Sequence, residues 1–243
     1  MDTLFDGLRD GLDLIFSGDP RLYDIALRTL RVGLESTAFA LVLGVPAGTA
    51  LGLGRRFRGR GLLLGLANAG LRVPPVALGL VLWLLMWPNA AQGPGLLAGL
   101  DWLNTINAVI LAQTLLVLPI VVALTTAAVQ AVPAGLIDQA RAFGASWPRC
   151  GLLALREARI GVVAAGIAAL GSAIASVGAI LVVGGPLGTQ TLATAALAEW
   201  NLGGQDARSV AYGTVLLGMF LVLAAALTIL QQRKVAWVPT RAS

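Results

Sequence analysis

The chain alternates between long apolar stretches and short polar ones. No Asp, Glu, Lys or Arg occurs in residues 36–54, 73–100, 102–137, 160–198 or 209–232. Each run is long enough to cross a hydrocarbon core of about 30 Å as a helix. Turn residues trim them: Trp87, Pro88 and Asn89 with Gly93 to Gly95, then Pro133 to Gly135, then Gly184 to Gly188. The pattern predicts five membrane helices near 25–53, 62–87, 106–130, 158–183 and 209–231. The runs are continuously apolar rather than alternating, so they are not strands of an outer-membrane barrel. Residues 1–18 differ. Leu4, Phe5, Leu8, Leu12, Ile15 and Phe16 recur at helical spacing, with Asp2, Asp6, Asp10 and Asp13 largely on the other side. This predicts an amphipathic helix lying on the outer leaflet. It starts acidic and lacks a small-residue cleavage site, unlike a signal peptide.

Composition agrees with a membrane domain. Of 243 residues, 57% are hydrophobic and 12% charged, against about 25% charged in globular chains, and the mean hydropathy is +0.83. The chain has no histidine, one cysteine (Cys150) and one lysine (Lys234). That excludes His-based acid–base chemistry, haem-binding His, multi-Cys metal clusters and an internal disulfide. No Asp lies inside a predicted span, so an intramembrane aspartyl protease is excluded too. Glu35 is the only candidate proton relay, and it follows Arg31 at the helical ion-pair spacing.

The pI near 10.6 is a topology signal rather than a nucleic-acid footprint. Arg55, Arg56, Arg58 and Arg60, then Arg141, Arg149, Arg156 and Arg159, then Arg233, Lys234 and Arg241 occupy alternate polar segments. Basic segments stay in the cytoplasm. The expected arrangement is an outside N-terminus and an inside C-terminus. The chain divides into the interfacial helix at 1–20, a transmembrane domain at 21–234 and a cytoplasmic tail at 235–243.

Several segments hold more polarity than a lipid-facing bundle needs. The cytoplasmic stretch 134–156 should form two short helices separated by Gly144: 136–143 is helix-competent, and Ala145 and Ser146 start a second one. By spacing alone this is either a re-entry loop with snorkelling arginines or a surface where Ala140 and Gly144 admit another protein. In the second span, Pro74 and Pro75 remove helix donors near the bilayer centre, a break tolerated only beside protein or water. Arg72 lies about eleven residues into that span, roughly 16 Å. It either faces a partner or a wet pathway there, or the helix starts later and it reaches the headgroups. Gly166, Gly171 and Gly178 give the fourth span a small-residue face, used for packing or, at Ser172 and Ser176, for a pathway. Gln113, Thr125 and Thr126 on the third span are equally open. In the outer segment 184–208, Thr189, Thr191 and Thr194 offer uncharged donors to a solute or stabilise a turn.

These residues carry a resemblance. Asp138-Gln139-Ala140, then Gly144, resembles the Glu-Ala-Ala…Gly coupling motif of ABC importer permeases, with Asp for Glu and Gln for Ala. The segment around Arg72, Pro74 and Pro75 is similar to the second span of tungstate/molybdate-type permeases. Arg156-Glu157-Ala158-Arg159 is similar to the start of the fourth span in the tungstate branch. Ser176-Val177-Gly178-Ala179, then Val183 to Gly185 and Thr189 to Ala195, resembles the same branch, with Ser176 where Glu is usual. The similarity runs in order from about residue 22 to 230.

The resemblance implies an all-α type I ABC importer permease in the inner membrane, importing an oxyanion, tungstate first, with molybdate, sulfate, vanadate or another solute as alternatives and an ion-coupled secondary transporter as the competing reading. It implies a homodimer, two ATPase subunits that bind ATP and Mg, and a periplasmic oxyanion-binding protein. This chain would bind no cofactor or metal itself; it has no Gly-x-x-x-x-Gly-Lys-Ser/Thr phosphate loop. Asp138, Gln139, Ala140, Gly144, Ala145 and Ser146 would dock the ATPase. Arg72, Pro74, Pro75, Ser172, Ser176, Thr189, Thr191 and Thr194 would flank the solute's route.

Overall fold

The structure, a computed structural model, describes residues 9, 12–13, 15–54, 58–88, 95–185, 188–203 and 207–235. Among them the chain is all-helical. The helices are α1 (Pro20–Leu53), α2 (Arg60–Gly70), α3 (Pro75–Met86), α4 (Ile106–Gln130), α5 (Ala134–Ala142), α6 (Trp147–Glu157), α7 (Arg159–Ala175), α8 (Gly178–Val183), α9 (Leu192–Gly203) and α10 (Ala207–Val235). Most of the expected interfacial helix, Arg55, Arg56 and the tail beyond residue 235 lie outside the described residues.

α1 begins earlier than its apolar run. Asp19 accepts hydrogen bonds from Arg21 N at 2.8 Å and Leu22 N at 3.3 Å, and Pro20 occupies the first helical position. Both devices satisfy or dispense with the orphan donors of a helix start. The added turns carry charge but pair it: Arg28 with Asp24, and Arg31 Nε with Glu35 Oε1 at 2.7 Å. The expected Arg31–Glu35 pair is therefore formed.

Three helices, α1, α4 and the Arg208–Ala226 part of α10, are long and apolar enough to cross a membrane unaided. Two bent pairs would bring the number to five if each forms one span. α2 and α3 meet at 105°, and α6 and α7 at 74°. The single helix expected over 62–87 is thus corrected to two. The cause is Pro74-Pro75: neither can donate, and each disfavours helical backbone in the residue before it. The chain leaves α2 through tight bonds from Arg72 N to Ala69 O and Val73 N to Gly70 O, and Pro75 then opens α3. The helix expected over 158–183 is broken as well, at Ser176 and Val177 between α7 and α8. The outer segment, expected as a loop, contains α9.

α1 and α4 make the largest helix interface. Gly44, Gly48 and Gly52 lie four residues apart on α1. A methyl group at any of them would approach Val121, Thr125 or Val129 of α4 to 2.8 Å or less. The close approach permits hydrogen bonds between helices. Ser36 Oγ donates to Ile110 O at 3.2 Å, and Thr126 Oγ1 to Gly48 O at 3.2 Å. Small residues and hydroxyl bonds are how helices associate where apolar burial gives no drive. The glycines expected to form such a face on the fourth span behave unequally. Gly166 and Gly171 have ordinary contacts, and only Gly178 is tightly packed.

Candidate functional site

Two broken spans meet at the middle of the molecule. A methyl at Gly178, the first residue of α8, would fall 2.7 Å from Val76 Cγ2 and 3.2 Å from Pro75 Cβ. The break before α8 is therefore pressed against the start of α3. A methyl at Gly70, the last residue of α2, would fall 2.5 Å from Pro119 Cγ. Pro119 sits at the centre of the 25-residue α4. Both breaks thus lie level with the middle of a straight span.

A cavity of about 430 Å³ opens at this junction. Arg72, Pro74 and Pro75 line it from the second span, Ser172 and Ser176 from the fourth, and Leu116 and Ile120 from the centre of α4. All five mid-span residues singled out in the sequence are brought together here. Arg72 is exposed, and its side chain has no hydrogen-bond or ion-pair partner among the described residues. The Ser176 hydroxyl is buried and also unpartnered among them.

The outer threonines form a second group, beyond the other end of α8. Thr189 and Thr194 line a cavity of about 360 Å³ with Gly184, Gly185 and Gln190. Thr191 does not line it. All three threonines are buried. Thr194 Oγ1 accepts from Thr191 N at 2.9 Å, closing the first turn of α9 as a capping box does. Thr189 Oγ1 donates to Gly185 O at 2.6 Å. Their present hydrogen bonds are local and hold the turn into α9.

Gln113, Thr125 and Thr126 lie away from both cavities. Gln113 and Thr125 are fully buried on α4, and the Thr125 side chain packs against Gly48.

At the opposite end of the bundle, α5 and α6 form the two short helices expected around Gly144. Ala145 N bonds Ala140 O at 3.0 Å, and Gly144 N bonds Arg141 O at 2.9 Å. That pair of bonds is a Schellman C-cap, with Gly144 in the left-handed region at φ +80°. Ser146 is the N-cap residue of α6. Asp138, Gln139, Gly144 and Ser146 are exposed, while Ala140 and Ala145 are half-buried. Phe143 projects from the turn with 91% of its surface exposed. The Arg141 guanidinium lies over the Trp147 ring at 5.6 Å, tying the two helices together. A cavity of about 620 Å³ lies behind them, lined by Arg60, Pro133, Asp138, Arg141 and Trp147. Sequence reasoning did not assign Arg60 or Trp147 to a site. The signal for them was weak, because an Arg beside an aromatic becomes meaningful only once folding brings them together.

Among the described residues, no group of three or more His, Cys, Asp or Glu is placed to hold a metal ion.

Comparison with known proteins matches residues 44–235 to the family described as "Binding-protein-dependent transport system inner membrane component". The chain is 37% identical over 207 residues to the "Probable anion ABC transporter permease protein" of Haloferax volcanii, covering 82% of this chain and 86% of that one. It is 28% identical over 233 residues to the "Tungstate uptake system permease protein TupB" of Peptoclostridium acidaminophilum, covering 96% of this chain and all of the relative. Its fold is similar to a chain of the inward-facing MetNI methionine ABC transporter, with a TM-score of 0.70 at 20% identity, covering 88% of this chain and 98% of that one. The broken helices and these matches agree: the chain belongs to the binding-protein-dependent transport system inner membrane component family and is an ABC importer permease of the type I fold.

Proposed function

We propose that this permease imports a tetrahedral oxyanion, tungstate first among them. The observation that carries the reading is the end-to-end similarity to a tungstate uptake permease, which covers 96% of this chain. A relative named as an anion permease, at 37% identity, supports the same solute class. A periplasmic or extracellular binding protein would deliver the anion. Two copies of this chain would enclose the route, and two partner ATPase subunits would supply the energy by hydrolysing ATP with Mg. Residues 138–146 would dock those subunits through the exposed turn at Gly144. Binding and hydrolysis would drive rocking of the helices about the broken spans, the irregular backbone that transporters place beside a solute route. The N-terminus would lie outside the inner membrane and the C-terminus in the cytoplasm.

The test is ATP-driven uptake in proteoliposomes that hold the permease, its ATPase and its binding protein. Tungstate uptake that exceeds molybdate and sulfate uptake at equal limiting concentration is expected. Uptake of an uncharged or cationic solute in preference to all three would overturn the oxyanion reading.

A further inference from the structure

We propose that the mid-membrane cavity bounded by Arg72, Ser172 and Ser176 is a transit site that holds the dehydrating oxyanion between the outer and inner openings. The inference rests on the oxyanion reading above and adds to it a site and its chemistry. It begins with depth. Gly70 packs on Pro119, and the cavity is walled by Leu116 and Ile120, so Arg72 lies level with the centre of α4. From there the headgroups are about 15 Å away. A guanidinium at that depth is disfavoured against lipid, so its surroundings in the assembly must be polar. Yet no acceptor among the described residues meets it. The ion pairs formed among them use Arg21, Arg28 and Arg31, all on α1.

The cavity supplies the rest of an anion's needs. A permanently charged fork suits an oxyanion in charge and in geometry. The Ser176 hydroxyl is buried with its hydrogen-bonding capacity unused, on the same cavity. Ser172 lies one helical turn away on the same face, and it is exposed. Among the described residues no carboxylate lines the space to compete for the guanidinium. About 430 Å³ is room for an oxyanion with part of its hydration, since a water takes about 30 Å³. The Pro74-Pro75 break frees carbonyls, which accept and do not donate, so the donors to the anion are Arg72 and the hydroxyls of Ser172 and Ser176. In the homodimer two such cavities would face one route. One cationic group from each copy would hold an anion in transit without a closed cage that could trap it.

The experiment uses the assembled permease–ATPase complex. Arg72→Ala should lower ATP-driven tungstate uptake by about tenfold or more, the loss expected for one charge-assisted hydrogen bond. Arg72→Lys should retain the larger part, because it keeps the charge. Ser176→Ala removes the neighbouring hydroxyl and should lower uptake by less than Arg72→Ala does. A second readout reports occupancy directly. Cys150, the one native thiol, is fully buried, so a Ser172→Cys thiol reports the cavity. Sodium tungstate should slow its modification by a water-soluble thiosulfonate, and adding Arg72→Ala should remove that protection. Uptake by Arg72→Ala within twofold of the unsubstituted complex, or protection that survives Arg72→Ala, would overturn the transit site. Those results leave the oxyanion reading standing, since the unsubstituted complex still carries tungstate; absence of oxyanion uptake by that complex would instead remove the reading on which the site rests.

Discussion

At the scale of single residues, Gly144 shows how a motif's chemistry changes once the backbone is seen. Its spacing from Ala140 suggests room for a partner surface. The structure adds a conformational reason. Gly144 holds φ +80°, where a side chain costs about 1–2 kcal/mol, and a methyl there would touch nothing else among the described residues. The turn, rather than internal packing, is what requires glycine. Asn accepts this backbone region far better than branched residues do. In the assembled complex, Gly144→Leu should lose the ATPase stimulation caused by loaded binding protein, while Gly144→Asn should keep most of it. Equal loss in both would place the requirement at the docked surface instead. Arg72 was similarly half-legible. Its depth follows from counting residues along a span, but the absence of an internal partner does not, because pairing depends on which helices meet.

Among the helices, what could be read from sequence depended on whether a local rule or a tertiary contact decided the outcome. α4 fills the expected 106–130 because nothing inside that run opposes helix except Pro119, and the helix carries it. The break in the second span is written in Pro74-Pro75. The break at Ser176 is not written in any helix breaker of that kind; it lies beside Gly178, which packs on Val76, more than 100 residues away in sequence. α9 is not legible in the sequence because its anchor is also remote. Thr29 Oγ1, fully buried in α1, accepts from Leu192 N at 2.8 Å while donating to Ile25 O at 2.7 Å. An Arg21–Glu199 ion pair at 3.3 Å adds a second tie. Thr29→Val keeps the shape and removes the acceptor, which strands a buried N–H at about 1–3 kcal/mol. Amide exchange across 192–201 should therefore speed up in the purified complex, with α4 exchange unchanged. Protection of 192–201 equal to that of the unsubstituted chain would show that Thr29 does not anchor α9.

For the whole molecule, the expected orientation rests on where Lys and Arg fall. Eleven Lys and Arg fall in the segments expected inside and five in those expected outside, with Arg72 set apart within a span. The structure also shows which of these cations are paired. Of the five outer cations, Arg21, Arg28 and Arg31 are each paired with a carboxylate. The inner segments hold Arg141 on an aromatic ring and no ion pair among the described residues. Retention by the cytoplasm acts on Lys and Arg in short loops, and every inner segment here is short. With five spans, the expectation is an N-terminus outside and a C-terminus inside. Arg58→Cys, before α2, and Leu96→Cys, 87% exposed between α3 and α4, bracket the bent second span. If α2 and α3 together cross the membrane, an impermeant maleimide added to intact cells should label Leu96→Cys and spare Arg58→Cys until the membrane is opened. Labelling of both from one side would mean that the 105° bend turns the pair back as a re-entrant loop. The number of spans would then be even, and the two termini would share a side.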